Sequence, residues 1–376
     1  MPNWRERVCL AVTGAFTVVV CLGALPWMCT DIDMLRGDIR GERFEGQNPL
    51  CSGQHCTPCI RRAGVQSELC KWRFVKYVPS ELEARWWNVV DDIGAVPCNA
   101  VQAEFKDLFA LYDEAIKQNL VVSDKMPGYG FCNCTAGEKP MTLDPRVFSR
   151  FQYVNECTRE QTDSYIEPLA GPLRHPDVCI NWRKNKYRKD WLVVDQWDVH
   201  KRLMQGANKY YFDAGASTWN EGNGGASQSW FDSTFDKLCM PFDGYWMWEI
   251  SAQEPRAVFD VLPDHVKPLY HWYNIPASMN KSHGNSPLFH MRHVAQPEDY
   301  VVFKLDIDNN TVEEAIVASM LADVELLSVI DEFFWEHHID MVPHRRSWGR
   351  QTSTQRQSIA LFRTLREAGV RAHSWV

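Results

Sequence analysis

The sequence lacks an excess of basic residues: 40 lysines and arginines stand against 48 aspartates and glutamates, and the net charge is −8. Nucleic-acid-binding proteins normally carry a basic excess, so that class of function has no support. A P-loop, an HExxH motif and a Ser-His-Asp arrangement are also missing. No internal repeat or low-complexity tract is present. The 376 residues, 45% of them apolar, therefore predict a globular protein with one or two domains.

Residues 8–28 carry no charge, and Arg5 and Arg7 precede them. About 20 apolar residues span a bilayer as a helix, and positive charge prefers the cytoplasmic side. We predict a signal anchor in residues 1–29, contact with the membrane through residues 8–28, and a lumenal chain in the Golgi or endoplasmic reticulum. A cleaved signal peptide and a secreted product are the alternative, because Ala24 is a small residue near a plausible cleavage site.

Ten of the 13 cysteines lie between Cys29 and Cys179, where an oxidising lumen would favour disulfides. Eleven cysteines follow residue 28, so at least one of them is free or pairs between chains. Cys29, beside the membrane, is the candidate for such a disulfide-linked dimer. Four cysteines have spacings that would fit zinc in a cytosolic protein: Cys51, Cys56, Cys59 and Cys70. Three glycosylation sequons begin at Asn133, Asn280 and Asn309.

Residues 30–189 are predicted to form a cysteine-rich, partly helical stem or accessory region. Ser80 and Glu83 predict a capping box for a first helix, and Asn99 predicts the cap of a second. The second helix has one apolar face: Val101, Phe105, Leu108, Tyr112 and Ile116.

Residues 190–376 have apolar runs that alternate with helical patterns, which predicts a Rossmann-like, doubly wound α/β domain. Strands are expected at 191–194, 209–213, 245–250, 269–275, 300–305, 332–337 and 370–376. Three helices are expected. The first covers residues 226–238, the second begins at a capping box formed by Thr311 and Glu314, and the third covers residues 354–368.

The run YYFDAGASTWNEGNGGASQ, residues 210–228, is the most informative stretch. A buried strand that ends in Asp213 and a glycine-rich turn, followed by a helix, is how doubly wound folds form a nucleotide pocket. Glu249 ends the next predicted strand, where a carboxylate can accept hydrogen bonds from ribose hydroxyls. Further polar groups end the later strands: Asp306, Asp308, Glu336, His337 and His338.

The order of YYFDAGAS, WEISAQEP, VVFKLDIDNNTVEEAI and DEFFWEHHID resembles the FkbM-type, S-adenosylmethionine-dependent methyltransferases over residues 205–340. The resemblance implies a cofactor site formed by Asp213, Gly215, Ser217 and Glu249. It also implies a catalytic side lined by Lys304, Asp306 and Asp308. The chain departs from the family where Ser217 replaces an Asn, Asp308 a Glu and Asn309 a Gly.

Two other functions stay open. Asp306-Ile307-Asp308 after an apolar strand is also how nucleotide-sugar glycosyltransferases hold Mn²⁺, with His338 as a third ligand. A non-catalytic binding module could keep the same fold. The basic run RKNKYRKD, which begins at Arg183, could meet an anionic glycan or be a solvated loop.

The sequence therefore favours a lumenal methyltransferase that transfers a methyl group from S-adenosylmethionine to an oxygen of a glycan or another small polar acceptor. Such a transfer needs alignment and a base. The candidates for base or acceptor positioning are Asp306, Asp308 and His338, with Lys304 beside them.

Overall fold

The computed structural model describes residues 72–125, 143–194, 207–220, 227–238 and 240–376, with backbone alone for residues 118–125. The predicted anchor, Cys29, the four cysteines with zinc-like spacing, Asn133 and glycines 206, 222, 224 and 225 lie outside these ranges. Within the described ranges, no helix combines the length and the apolar character that crossing a membrane requires.

The first half of the described chain combines three helices with a small antiparallel sheet. Strand β1 (Trp72–Val78) pairs with β2 (Ser149–Asn155), which pairs with β3 (Gln161–Ile166). Helices α1 (Glu81–Ile93), α2 (Pro97–Gln102) and α3 (Lys106–Lys125) lie between β1 and β2 in sequence. The predicted accessory region is therefore helical in part, as expected, and also contains a sheet that the sequence did not predict.

The second half forms a parallel sheet. Its strands are β4 (Lys209–Ala214), β5 (Gly244–Trp248), β6 (Tyr270–Tyr273), β7 (Tyr300–Leu305), β8 (Glu332–Trp335) and β9 (Arg371–Ser374). They pair in the order β6-β5-β4-β7-β8-β9, and every pair is parallel. This order is compatible with a Rossmann-like fold, in which the strand order reverses beside the first strand. Here the reversal lies between β4 and β7.

Helices flank this sheet and connect its strands. They are α4 (Trp182–Asn185), α5 (Ser227–Lys237), α6 (Pro255–Asp260), α7 (Pro287–Val294), α8 (Asn310–Leu321), α9 (Val324–Leu327), α10 (Arg345–Trp348) and α11 (Gln355–Glu367). All residues of β5, β7, β8 and β9 are buried, because a parallel sheet is covered on both faces. That burial explains why β5, β7 and β8 read as apolar runs in the sequence, whereas β9 (RAHS) is buried but largely polar.

The predicted strand at 191–194 is wrong, although Trp191 and Val193 are buried. The backbone of residues 191–194 forms hydrogen bonds with side chains rather than with a neighbouring strand. The Tyr112 hydroxyl donates to the Trp191 carbonyl, and the Glu167 carboxylate accepts from the Val193 N–H. Apolar character therefore predicted burial correctly but not the hydrogen-bonding partner.

The three predicted helix caps need correction. Ser80 caps α1, but the Glu83 carboxylate accepts from Tyr77, Ser149 and Leu169 rather than from the cap backbone. Asn99 lies inside α2, which starts with Pro97. Helix α8 begins two residues earlier than predicted, because the Asn309 side chain accepts from the Val312 N–H.

Candidate functional site

A cavity of about 590 Å³ lies at the carboxyl ends of β4, β5, β7 and β8. Parallel α/β sheets bind ligands at this edge, where the strand order reverses, and the volume is in the range of small-molecule pockets. One side of the cavity is formed by residues that follow β4 and β5, among them Gly215, Ser217 and Glu249. The opposite side is formed by residues that follow β7 and β8, among them Asp306, Asp308 and Glu336.

The turn after β4 is held against the end of β5. Glu249 accepts the Ser217 N–H through Oε2 at 2.8 Å and the Ser251 N–H through Oε1 at 2.6 Å. The N–H groups of Gly215 and Ala216 both donate to the Trp248 carbonyl at 2.9 Å. Three of the predicted cofactor residues, Gly215, Ser217 and Glu249, therefore meet on one side of the cavity. The carboxylate of Glu249 is oriented by two backbone donors before any ligand arrives.

Glycine is required at position 215. Its backbone has φ +90°, and a Cβ built there would lie 1.6 Å from the Asp306 carbonyl oxygen. The turn after β4 and the end of β7 thus approach more closely than any side chain permits. Ser217 also has a positive φ, of 53°, which a glycine or asparagine would adopt more readily.

Asp213 is fully buried, and the residues that line the cavity do not include it. Its carboxylate accepts from the Tyr211 hydroxyl at 2.6 Å and from Lys304 Nζ at 3.0 Å. Lys304 also donates to the Gly215 carbonyl at 3.0 Å and lies 3.3 Å from Asp306. Asp213 therefore does not line the cavity itself but contacts Lys304, which does. Lys304 connects the turn after β4 to the turn after β7.

Burial opposes the charged forms of this pair. It raises the pKa of Asp213, and Lys304 offsets the effect only in part. For Lys304, burial acts to lower the pKa, but the charges of Asp213 and Asp306 together raise it. The lysine is thus a fixed cation that cannot act as a base, and its role at this site is to position the two turns.

Asp308, Glu336 and His338 form a cluster on the β7 and β8 side. One ligand atom from each lies within 4.8 Å of the others, and His338 Nε2 is 3.4 Å from Glu336 and 3.5 Å from Asp308. The D-x-D prediction placed Asp306 in such a group, but Asp306 lies beside Lys304. Burial, followed by the neighbouring Asp306, raises the pKa of Glu336 well above its usual value. The fold therefore favours the protonated form of Glu336, whose role the sequence did not assign.

Glu313 fixes the turn that carries Asp306 and Asp308. It is fully buried, and Oε1 accepts the N–H groups of Ile307 at 2.9 Å and Asn309 at 3.4 Å. Its Oε2 accepts from Trp335 Nε1 at 2.9 Å. Burial raises the pKa of Glu313 to about 7. Glu313 lies within the third motif, VVFKLDIDNNTVEEAI, but only the fold shows that its carboxylate holds the turn.

The cavity has a roof that comes from before residue 189. Arg174, Trp182, Lys186 and Tyr187 line it together with Trp348 and Trp375. Arg174 is 4% exposed and donates to Glu336 at 3.2 Å and to the Ser374 hydroxyl at 3.0 Å. The predicted accessory region therefore completes the site. Sequence analysis missed Arg174 and the aromatic residues, although it did single out the basic run that contains Lys186.

Comparison with known proteins gives no relative: no protein family, no curated protein and no solved structure matches this chain. The function is therefore inferred from the geometry of the site.

Proposed function

We propose that the protein is a methyltransferase that uses S-adenosylmethionine and methylates an oxygen of a glycan or another small polar acceptor. The observation that carries this proposal is Glu249. Its carboxylate lines the cavity at the end of β5 and is oriented by the N–H groups of Ser217 and Ser251. A carboxylate in this position of a doubly wound sheet suits the hydroxyls of a ribose.

The surroundings of Glu249 fit the rest of a nucleoside. Ile250, which is 68% exposed, and Pro276 and Ala277 give this side of the cavity apolar faces that a purine ring can cover. The bound cofactor would supply an electrophilic methyl group on a positively charged sulfur. The residues of the chain then need to align the acceptor hydroxyl and accept its proton.

The second side of the cavity provides the proton acceptors. Asp306, Asp308 and Glu336 all line it, whereas His338 lies behind Glu336. Of these three side chains, that of Glu336 is the most buried. Arg174 contacts one of its carboxyl oxygens and His338 contacts the other. We assign the acceptance of the proton to Asp306 and Asp308, with Glu336 and His338 as positioning residues.

A glycosyltransferase is the second candidate, because Asp308, Glu336 and His338 can hold a metal ion. Two carboxylates and an imidazole are ligands that Mn²⁺ accepts, and open positions would face the cavity. In that function the ion would bind the diphosphate of a sugar nucleotide. The presence of Glu249 on the far side of the cavity is what places methyl transfer first.

Glu249→Gln in the full chain is expected to weaken the binding of S-adenosylhomocysteine by about 10- to 100-fold in titration calorimetry. The expectation follows because hydrogen bonds to a charged group contribute about 1.5–3 kcal/mol. Glu254→Gln is the matched control, since Glu254 is exposed and caps α6 five residues later without lining the cavity. Equal weakening in both variants would contradict the proposal.

The same titration separates the second candidate. Binding of a sugar nucleotide only in the presence of Mn²⁺, abolished by His338→Ala and unaffected by Glu249→Gln, would transfer the assignment to a glycosyltransferase. If neither ligand binds, the non-catalytic binding module is the better description.

A further inference from the structure

The roof of the cavity contains a lysine, Lys186, that forms no ion pair among the described residues. Lys186 lines the cavity, and its Nζ lies 4.1 Å from the centre of the Tyr187 ring. The two other cations of the lining differ in this respect, because Arg174 is paired with Glu336 and Lys304 with Asp213.

A second lysine of the same segment lies close to the lining of the cavity. Lys189 Nζ lies 5.1 Å from the centre of the Trp375 ring, which also lines the cavity. Burial, followed by repulsion from Lys304 and Arg174, lowers the pKa of Lys189 to about 8. A ligand that brings negative charge to the roof would relieve this repulsion.

The segment that carries Lys186 is fixed in place. Asn181 caps α4 by accepting the Lys184 N–H at 3.2 Å, and Asn185 donates to the Asp177 carbonyl at 3.0 Å. A disulfide joins Cys179, just before α4, to Cys98 in α2. The roof is thus a preformed surface, which lowers the entropy cost of binding a ligand.

Aromatic rings surround the lysine. Trp182, Tyr187 and Trp348 line the cavity and keep part of their surface exposed, 41% in the case of Tyr187. Trp348 is stacked on His338, with ring centres 4.5 Å apart, so its orientation is fixed. Flat apolar faces beside a cation suit a ring that has a C–H face and carries an anionic substituent.

We propose that the acceptor is an acidic sugar, with its ring against Trp182 and Trp348 and its anionic group at Lys186. This inference rests on the proposed function for the reaction, but the binding of the acidic sugar does not depend on it. The anion is a carboxylate, a sulfate or a phosphate, because all three present oxygens that an ammonium group can contact.

Titration calorimetry on the full chain tests this proposal with three disaccharides. The first contains a uronic acid, and the second is the same compound with its carboxylate reduced to an alcohol, which makes it neutral. The third is built from neutral sugars and carries a 6-sulfate. The titrations are run without cofactor and again with S-adenosylhomocysteine. We expect at least one acidic disaccharide to bind, and the neutral one to bind about tenfold or more weakly, the loss of one charge-assisted hydrogen bond. The stronger acidic ligand identifies the anion.

Lys186→Gln is expected to remove that preference, whereas Lys186→Arg keeps most of it. Lys184→Gln is the matched control, because Lys184 is exposed on α4, which ends just before Lys186, and does not line the cavity. Equal binding of acidic and neutral disaccharides, no acidic binding, or an unchanged preference in Lys186→Gln would overturn the proposal. If the full chain binds the acidic disaccharide but not S-adenosylhomocysteine, the result contradicts the methyltransferase and not the acidic sugar. The two failures are therefore distinguishable.

Discussion

Gly215→Ala is expected to lower the free energy of unfolding by about 2–5 kcal/mol and to abolish cofactor binding. The new Cβ would lie 1.6 Å from the Asp306 carbonyl oxygen and 2.5 Å from its carbonyl carbon, and both belong to backbone that cannot rotate away. The left-handed conformation adds about 1–2 kcal/mol for a residue with a Cβ, and overpacking adds about 1–3 kcal/mol. Chemical denaturation followed by calorimetry with S-adenosylhomocysteine measures both effects.

Gly94→Ala separates the clash from the backbone conformation. Gly94 also has a positive φ, of 57°, but a Cβ there would meet no atom within 4 Å. This variant is expected to lose only about 1–2 kcal/mol and to bind the cofactor normally. If Gly215→Ala were no more harmful than Gly94→Ala, the close contact between the turns after β4 and β7 would be refuted.

Lys304→Met tests the connection between the same two turns in another way, because it leaves the buried carboxylate of Asp213 without its cation.

The sequence predicted the parallel sheet well because β5, β7 and β8 and the second part of β4 are buried on both faces and therefore read as apolar runs. It also predicted the meeting of Gly215 and Glu249, since both follow strands of one sheet. The full burial of Asp213 was not predictable, because the carboxylate of an acidic residue at the end of a strand can face a bound ligand or pair with a buried lysine. The pairing with Lys304 arises from the register of β4 beside β7, which places Asp213 opposite Lys304.

The roof could not be read from the sequence for a different reason. Arg174 meets Glu336 across 162 positions of the chain, and Lys186 reaches the cavity because the accessory region packs on the parallel sheet. Composition suggested a separate stem, but residues on both sides of position 189 share one hydrophobic core. Contacts of this kind depend on how two sheets are joined, which no local pattern encodes.

A buried ionic network makes that junction. Arg366 in α11 donates to the Tyr77 hydroxyl and to the Glu167 carbonyl, both at 2.9 Å. Arg371 in β9 donates to Glu332 at 3.0 Å and to the Ser164 hydroxyl of β3 at 2.8 Å. These contacts fasten the antiparallel sheet to the edge of the parallel one and so hold the roof over the cavity.

His373 is the centre of this network. Its Nδ1 lies 2.8 Å from Glu167 and its Nε2 contacts Glu332, so both ring nitrogens face carboxylates. A neutral imidazole has one N–H, and only the protonated ring can donate to both partners. Burial alone would lower the pKa of His373, but Glu167 and Glu332 together raise it. The fold therefore favours the imidazolium form of the ring.

His373→Gln is expected to lower the free energy of unfolding by about 3–5 kcal/mol near pH 6.5, because it removes the cation from a buried cluster of carboxylates. The double variant Glu332→Gln, His373→Gln restores the balance of charge and is expected to recover part of the loss. Denaturant unfolding at fixed pH gives both values. A loss below about 1 kcal/mol in the single variant would show that the ring is neutral.

The pH dependence of stability follows from the raised pKa of His373. Because the folded pKa lies above the unfolded value of about 6.5, the stabilising contribution of the ring is complete below that pH and is lost as the pH rises through the folded pKa. A tenfold difference in proton affinity between the folded and unfolded states corresponds to about 1.4 kcal/mol. Lys189, with its pKa lowered to about 8, acts in the opposite direction at alkaline pH. The measurement is therefore the difference in unfolding free energy between the wild type and His373→Gln, which should shrink steadily above pH 6.5; a constant difference would contradict the imidazolium.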